Sequence, residues 1–519
     1  MNPVQATMTE SSPGPFAGRV PGTGAAPFDS AMDRWTDASR ADPIAASAAP
    51  LAPPLPSQAT VQTMADQAPG WQQLGDLPLR LPEALVAQLV AEWQARPGSM
   101  LLAAALAVLV LVLSVFALRQ ALFACNRWLA PVRYPYPDLQ AVDWPEITVF
   151  IAAHNEERVI ADSLQALLAS DYPAERMHIV PVNDRSTDAT EAIIDRWVQS
   201  HPGRIEPFHR RSGKPGKAAA LKDAMARAQG DIVLIFDADY TPSPGLLRAL
   251  VAPFFDAEVG AVMGRVVPRN TASNLLTRLL DLERSAGYQV DQQARMNLGG
   301  VPQYGGTVGG VRRSAVDAVG GWRDDSLAED TDITLRLLVG GWKTVYHNAA
   351  TCYEEVPQEW AVRLRQVHRW AKGHNQVLLR SWGPLLRSRR VSWRQRLDGL
   401  LLLQVFLLQP LLLVGWALAL VLYFLNGTGT LTLLMPTALL TAYAAFGGFA
   451  AFWQTAAAVV ADGRRERLRL LPLQLLGHAA SLGVISLALF DLLRDRLSGR
   501  ELVWAKTVRY RAQPAQEAA

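Results

Sequence analysis

The sequence has little cysteine and almost no excess of charge of either sign. Its two cysteines, Cys125 and Cys352, are far apart in a chain of 519 residues, so neither a disulfide framework nor a cysteine zinc site is available. The 50 Lys and Arg residues nearly balance the 47 Asp and Glu residues, which excludes a nucleic-acid binder that relies on bulk positive charge. Charged residues make up only 19% of the chain, against roughly 25% in soluble domains. We therefore expect part of the chain to avoid water.

Long uncharged runs explain the low content of charge. Residues 99–118 carry no charged side chain and, at about 1.5 Å per residue, are long enough to cross a hydrocarbon core of roughly 30 Å. A cleaved signal peptide is the competing interpretation, but its apolar region would be shorter and nearer the first residue. A second uncharged stretch is divided by the turn-like sequence NGTGT, which predicts transmembrane helices at 399–425 and 431–461.

The C-terminal region mixes apolar and basic segments. A basic segment at 386–398 precedes the second uncharged stretch, and a basic tail occupies 494–519. The apolar run 470–490 between them contains Pro472 and Gln474. We predict that this run is re-entrant or interfacial, because a full crossing would place the basic tail outside, against the tendency of positive charge to remain cytoplasmic. A plain fourth span is the alternative.

The N-terminal region is rich in Ala and Pro and has no packable period. This composition predicts that residues 1–98 are disordered. Only residues 81–93 have helical spacing of apolar side chains, and they could form an amphipathic helix on the membrane surface.

Residues 145–385 alternate short apolar runs with amphipathic helical patterns. Apolar strands are predicted at 147–153, 178–183 and 231–236. This alternation is typical of an α/β domain with a mainly parallel sheet. Because ligands of such sheets bind beyond the carboxyl ends of the strands, the residues that follow each strand are the candidates for chemistry.

Acidic side chains follow two of these strands. Asp184 ends the second strand, and Asp237 and Asp239 follow the third. A single acidic residue at a strand end is usually a helix cap. Two carboxylates separated by one residue repel each other unless a cation is near, and oxygen ligands suit Mg²⁺ or Mn²⁺. His154, after the first strand, is interpreted as structural.

Two further signatures lie later in the domain. The sequence EDTD at 329–332 begins a predicted helix, where acidic side chains either favour the helix dipole or supply a general base such as Asp330. Gln366, Arg369 and Trp370 fall at helical spacing on one face. Such a row can be ordinary packing, but an amide, a guanidinium and an indole also suit a pyrophosphate and a sugar ring.

Together these residues resemble the processive family 2 glycosyltransferases, the group of cellulose, chitin, hyaluronan and poly-N-acetylglucosamine synthases. The resemblance covers roughly residues 145–385 and rests on four signatures in order: VNDRSTD, DAD, EDTD and Q-x-x-R-W. It implies a GT-A (nucleotide-diphospho-sugar transferase) domain flanked by transmembrane helices. It also implies an integral protein of the bacterial inner membrane whose catalytic domain is cytoplasmic, where UDP-sugars are found.

The resemblance also implies roles for individual residues. Asp330 would be the general base, and Asp239 would bind Mg²⁺ or Mn²⁺. Many members carry a second aspartate where this sequence has Asn183, a departure that affects no catalytic position. The donor-binding residues would be Asp184 (at the uracil), Lys217, Asp237, Gln366, Arg369 and Trp370.

Three functions remain open from the sequence. The first is inverting transfer from a UDP-sugar to a growing β-linked polysaccharide, for which membrane lipids and export or assembly partners are expected. The second is transfer to a lipid acceptor such as diacylglycerol or ceramide. The third is a catalytically silent nucleotide-sugar sensor, which the complete set of carboxylates disfavours.

Overall fold

The structure of the protein is a computed structural model that describes residues 90–91, 94–134, 136, 143–426 and 449–499. The disorder predicted for 1–98 and the amphipathic helix predicted for 81–93 lie almost wholly outside these residues. The same is true of the first part of the span predicted at 431–461 and of the basic tail after residue 499.

A single mixed sheet of eight strands forms the centre of the described region after residue 145. Its strands are β1 (Ile147–Ala153), β2 (Met177–Asp184), β3 (Phe208–Arg210), β4 (Ile232–Asp237), β5 (Thr241–Pro242), β6 (Val259–Pro268), β7 (Gly309–Arg312) and β8 (Lys343–Glu354).

The strands lie in the order β3-β2-β1-β4-β7-β6-β8-β5. β1 pairs in parallel with β2 and β4, β2 with β3, and β6 with β8. β7 is antiparallel to both of its neighbours, and β5 is antiparallel to β8. The three predicted strands are therefore adjacent, and their carboxyl ends meet at one edge of the sheet.

Helices cover the sheet and extend beyond it. They are α1 (Pro97–Leu129), α2 (Ile160–Leu168), α3 (Thr190–Ser200), α4 (Lys217–Ala224), α5 (Leu246–Val251), α6 (Leu275–Ser285), α7 (Gln293–Leu298), α8 (Arg313–Ala318), α9 (Glu329–Gly340), α10 (Trp360–Arg387), α11 (Trp393–Leu403), α12 (Leu408–Asn426), α13 (Phe449–Ala461) and α14 (Gln474–Ser498). A π-helical segment, Ala286–Gln292, joins α6 to α7, and a 3₁₀ helix, Arg465–Leu473, precedes α14.

Two hydrophobic clusters lie on opposite faces of the sheet. Val149 and Ile151 of β1 belong to one cluster together with Leu164 of α2. Phe150, between them in the sequence, belongs to the other cluster together with Leu337 of α9. Side chains of a strand alternate between the faces, so a strand with both faces covered is apolar throughout. This is why the uninterrupted apolar runs predicted these strands.

Three of the described helices are long and apolar enough to cross a membrane: Pro97–Leu129, Val405–Leu425 and Arg465–Ser498. The uncharged stretch predicted to span at 399–425 begins inside α11, passes through a 3₁₀ turn and continues as α12. α1 and α12 pack against each other through Leu106 and Leu422. The crossing of the membrane by each helix stays a prediction.

A buried ion network joins these helices to the catalytic domain. Asp398 of α11 accepts hydrogen bonds from Arg119 of α1, with an Nη2–Oδ1 distance of 3.1 Å, and from the backbone N–H of Val301 at 2.8 Å. Arg295 of α7 lies 3.8 Å from the same carboxylate. One carboxylate thus links α1 and α11 to the region that borders the functional site.

Candidate functional site

A cavity of about 640 Å³ opens at the carboxyl ends of β1, β2 and β4. It is lined by residues from strand ends, from the first turns of α4 and α9, and from one face of α10. Every site residue predicted from the sequence lines it: Asp184, Lys217, Asp237, Asp239, Asp330, Gln366, Arg369 and Trp370.

Asp184, at the end of β2, is held by several donors. Its Oδ1 accepts hydrogen bonds from Arg185 and Arg210, each at 2.9 Å, and its Oδ2 accepts one from the backbone N–H of Gly216 at 3.0 Å. Burial alone would raise the pKa of Asp184, but these donors outweigh it and lower the pKa. The backbone carbonyl of Asp184 also contacts His154 Nδ1 at 2.7 Å. The carboxylate is therefore ionised and fixes Gly216 immediately before α4.

Lys217 begins α4 and points to the strand end that carries Asp237. Its Nζ donates to Asp237 Oδ1 at 2.5 Å and to the carbonyl oxygen of Gly306 at 2.8 Å, and it lies 3.9 Å from Glu329 Oε1. Burial favours the neutral amine, but the attraction of Asp237 and Glu329 prevails and raises the pKa of Lys217. The site thus holds a permanent ammonium beside its carboxylates.

Asp239 is almost completely buried, with 2% of its surface exposed. The next residue, Tyr240, donates its hydroxyl to Glu354 Oε2 at 2.9 Å, and Arg284 donates to Glu354 Oε1 at 2.5 Å. Burial, together with the charges of Glu354 and Asp239, raises the pKa of Tyr240 well above its usual value. Two further carboxylates, those of Asp237 and Glu354, line the same cavity, where they pair with Lys217 and Arg284. Carboxylate ligands suit Mg²⁺ or Mn²⁺.

A separate group of potential metal ligands lies outside the cavity. Glu191, Asp195 and His209 bring one ligand atom each within 4.8 Å of one another. None of them lines the cavity, and Arg211 donates to Glu191 at 2.7 Å. This group is therefore not the predicted metal site.

Asp330 stands in the first turn of α9. Its Oδ1 accepts the backbone N–H of Thr331 at 2.7 Å, which orients the carboxylate. Gly306 has a φ of +74°, and a Cβ at this position would lie 3.1 Å from the Cβ of Asp330, so glycine allows this segment to approach the helix. Burial, together with the charge of Asp330, raises the pKa of Glu329. Glu329 therefore keeps its proton to a higher pH than an ordinary glutamate does.

The cavity face of α10 is held by a set of arginines. The ring centroid of Trp370 lies 5.2 Å from the guanidinium carbon of Arg284 and 5.1 Å from that of Arg363. Arg363 also donates to Gln366 Oε1 at 2.9 Å and pairs with Glu283 at 2.5 Å. Cation–π contacts of this kind stabilise by about 0.5–2 kcal/mol. They fix the indole at one end of the cavity.

The same helix positions the loop that leads to Asp330. Gln376 accepts the backbone N–H of Leu327 at 3.0 Å and donates to the carbonyl of Asp325 at 2.7 Å. A Cβ at Gly373 would lie 3.0 Å from the Cβ of Ala328, so glycine allows a close approach there. α10 therefore both carries the Q-x-x-R-W residues and supports the acidic helix start.

The cavity extends from the sheet edge to the candidate membrane helices. The residues that α1, α13 and α14 and the 3₁₀ turn before α12 contribute are Gln120, Val405, Phe406, Ala451, Gln454, Thr455, Gln474 and His478.

Sequence reasoning did not identify Arg284, Glu354 or the residues of this extension. Glu354 ends β8 just as Asp237 ends β4, but β8 (KTVYHNAATCYE) mixes polar and apolar residues, so the rule based on apolar runs did not mark it. For Arg284, in the last turn of α6, the sequence gives no comparable signal.

The comparison with known proteins agrees with this geometry. Residues 145–373 match the family described as "Glycosyltransferase like family 2". The chain is 34% identical over 249 residues to the probable glycosyltransferase YdaM of Bacillus subtilis. The aligned region covers 47% of this chain and 59% of that protein. It is 35% identical over 273 residues to a beta-monoglucosyldiacylglycerol synthase of Synechocystis, covering 52% of this chain and 56% of the relative.

A plant relative is similar over the same region. Glucomannan 4-beta-mannosyltransferase 7 of Arabidopsis thaliana is 31% identical over 266 residues, covering 49% of this chain and 47% of the relative. The chain thus spans about half the length of the curated relatives that it matches. With the sheet order and the strand-end carboxylates, the match of residues 145–373 to this family model confirms the predicted fold, a mixed α/β domain of the GT-A type flanked by helices apolar enough to cross a membrane.

Proposed function

We propose that the protein is a membrane-bound, inverting hexosyltransferase that moves a sugar from a UDP-sugar to a growing β-linked polysaccharide. One observation carries this proposal: a single cavity joins the strand-end carboxylates, Asp330, the Q-x-x-R-W face and polar side chains of the candidate membrane helices. The named transferase activities of the three relatives support the reaction class.

In the proposed reaction, Asp330 is the general base. A sugar hydroxyl is a poor nucleophile near neutral pH, so a carboxylate must accept its proton as attack develops, which contributes about 10²- to 10⁴-fold. The hydroxyl oxygen forms the new bond to the anomeric carbon while the bond to the diphosphate breaks. Direct displacement at an α-linked donor gives a β-linked product and needs no covalent intermediate.

The nucleotide binds on the side of the cavity formed by Asp184, Lys217 and Asp237. Gln366 and Arg369 bind the diphosphate, and the Arg369 guanidinium offsets the negative charge that develops on the leaving group. Trp370 supports the sugar ring at the acceptor end.

A divalent metal is part of the proposal. Asp239 is the proposed principal ligand, and a carboxylate oxygen of this kind suits Mg²⁺ or Mn²⁺. When bound, such an ion supplies positive charge that stabilises the departing diphosphate.

The polymer acceptor is favoured by the chemistry of the cavity extension. Gln120, Gln454, Thr455 and Gln474 line it with amide and hydroxyl groups, and His478 adds an imidazole. These groups suit the hydroxyls of a saccharide chain leaving the reaction centre. We further propose that the catalytic domain is cytoplasmic in a bacterial inner membrane.

A lipid acceptor is the second candidate. Val405, Phe406 and Ala451 bring apolar surface from the candidate membrane helices to the same cavity. The relative from Synechocystis is named as a synthase of a glucosyl lipid. An acceptor headgroup in the cavity with acyl chains beside these residues is consistent with both observations.

An assay with labelled UDP-sugars distinguishes these functions. Membranes that contain the full-length protein are incubated with a panel of labelled UDP-sugars, and label is measured in precipitated polymer and in organic-extractable lipid. Polymer label that is absent from matched Asp330→Asn membranes supports the proposal, and label confined to extractable lipid supports the second candidate. Donor binding without transfer of any label would favour a nucleotide-sugar sensor and overturn both.

A further inference from the structure

A histidine that belongs to none of the sequence signatures lies next to Asp330. His374 is in α10, four residues after Trp370, and both line the cavity. Because positions four residues apart share a face of a helix, His374 continues the face formed by Gln366 and Trp370. Through His374, this face of α10 contacts the first turn of α9.

Thr331 connects His374 to the carboxylate of Asp330. His374 Nε2 lies 3.0 Å from Thr331 Oγ1, and Thr331 is completely buried. The threonine oxygen accepts a hydrogen bond from Gln303 Nε2 at 2.9 Å, while its backbone N–H donates to Asp330. The imidazole is thus held in place beside the proposed base.

The other ring nitrogen has no hydrogen-bond partner in the part of the chain that the structure describes. Nδ1 of His374 is buried, and the ring packs edge-on against Phe406 with centroids 5.0 Å apart. An unsatisfied buried nitrogen is costly, so a bound polar group is expected to satisfy it.

The imidazole is neutral in this environment. Burial lowers the pKa of His374, Asp330 opposes that effect, and the charge of Arg295 adds to it. The Thr331 hydroxyl donates to Asp330 Oδ1 at 3.3 Å and lies 3.0 Å from His374 Nε2. Nε2 is therefore occupied by the threonine, and Nδ1 is the ring nitrogen left to bind a ligand.

We propose that His374 binds the acceptor sugar, with its Nδ1 hydrogen-bonded to a hydroxyl group next to the hydroxyl that Asp330 deprotonates. This inference rests on the proposed function and names the acceptor as a saccharide with adjacent hydroxyls. The contact orients the acceptor and takes no proton from it, so atoms and charges of the transfer step are unchanged.

Two amide variants distinguish the ring nitrogens. An Asn amide reaches about as far as Nδ1 and a Gln amide about as far as Nε2. His374→Asn therefore keeps a hydrogen-bonding group for the acceptor, whereas His374→Gln keeps only the contact to Thr331. His368→Ala is the matched control, because His368 is in the same helix but pairs with Asp491 at 3.0 Å and does not line the cavity.

The full-length protein in lipid nanodiscs is assayed for three quantities. They are the KM for the labelled UDP-sugar, the rate of donor hydrolysis without acceptor, and the KM and kcat for a soluble oligosaccharide of the sugar that the wild type incorporates. We expect His374→Gln and His374→Ala to lower kcat/KM for the oligosaccharide by about ten-fold. Donor KM and hydrolysis should remain within about two-fold, and His374→Asn should recover part of the loss.

Each contrary result has a distinct meaning. Full transfer by His374→Gln would show that only the Thr331 contact matters, and an equal loss of hydrolysis and transfer would show that His374 supports Asp330 or the donor. Either result overturns the acceptor role while the proposed function stands. A wild-type protein that transfers sugar to no acceptor would overturn both.

Discussion

Asp330 combines two properties that a general base requires, a fixed carboxylate and access to the cavity. The Thr331 N–H orients its Oδ1, and an asparagine would keep the shape while losing the proton acceptor. We expect Asp330→Asn to lower kcat by at least about 10²-fold and to leave the dissociation constant of the UDP-sugar within about two-fold. Single-turnover rates and calorimetric titration measure the two quantities.

The matched control for this variant is Asp317→Asn, at an exposed position of α8 whose side chain forms a 3.9 Å pair with Arg313. It should change neither quantity. Equal losses of affinity and rate in Asp330→Asn would make Asp330 a donor-binding residue instead.

Asp239 is expected to bind the metal ion rather than to stabilise the fold. Asp239→Ala should abolish transfer while the protein remains folded and membrane-bound, and excess chelator should have the same effect on the wild type. Transfer rates with and without added Mn²⁺ and a thermal unfolding curve test this. Activity that survives in the variant or in excess chelator would refute the metal role. Asp237→Asn should mainly weaken nucleotide binding.

At the scale of residues, the sequence predicted the members of the site better than their contacts. Strand-end position identified Asp184, Asp237 and Asp239, because the carboxyl ends of adjacent strands meet at one edge. The bracketing of Trp370 by Arg284 and Arg363 depends on how α6 packs against α10, which no local pattern encodes.

α14 shows what the structure adds at the scale of elements. The segment before it is bound to the catalytic domain by an ion pair between Arg467 and Asp281. Near its other end, Asp495 pairs with Lys372 of α10 at 2.6 Å. Both attachments are to the same domain, so a helix between them that crosses a hydrocarbon core of roughly 30 Å is disfavoured. This geometry favours the prediction that 470–490 is re-entrant or interfacial over the alternative of a plain fourth span.

We predict that the tail after α14 lies on the same side of the membrane as the catalytic domain. In a variant without Cys125 and Cys352, single cysteines replace Ser30 or Gln516, and intact cells are treated with an impermeant maleimide. The cysteine at position 30 should react and that at position 516 should react only after lysis. Labelling at position 516 in sealed cells would show that the helix crosses.

The sequence predicted the strands that are buried on both faces, and it missed a strand in which close packing requires glycine. β1, β2 and β4 were predicted from apolar runs. β7 was missed because two of its four residues are glycines: a Cβ at Gly310 would lie 2.6 Å from Leu234 Cδ2. Close packing there excludes the side chains that would have marked a strand.

At the scale of the whole molecule, Asp398 joins the candidate membrane helices to the catalytic domain. Asp398→Ala would leave the buried guanidinium groups of Arg119 and Arg295 with the carboxylate of Asp291, at 3.5 and 3.8 Å, as their remaining shared partner. The cost should therefore be below the about 3–5 kcal/mol of a buried charge that has lost its partner entirely. We expect a clear fall in the thermal midpoint in detergent. Asp143→Ala, which removes an exposed pair with Arg176, should leave the midpoint nearly unchanged. A similar midpoint in both variants would contradict the linking role.

The central claim is that this cavity performs inverting sugar transfer, and the anomeric configuration of the product tests it most directly. Membranes with the full-length protein are supplied with the α-linked UDP-sugar that they incorporate, and the labelled product is digested with β-specific and α-specific glycosidases. The account predicts that only the β-specific enzyme releases the label, and that Asp330→Asn membranes form almost no labelled product. Release by the α-specific enzyme, or no incorporation from any UDP-sugar, would contradict it.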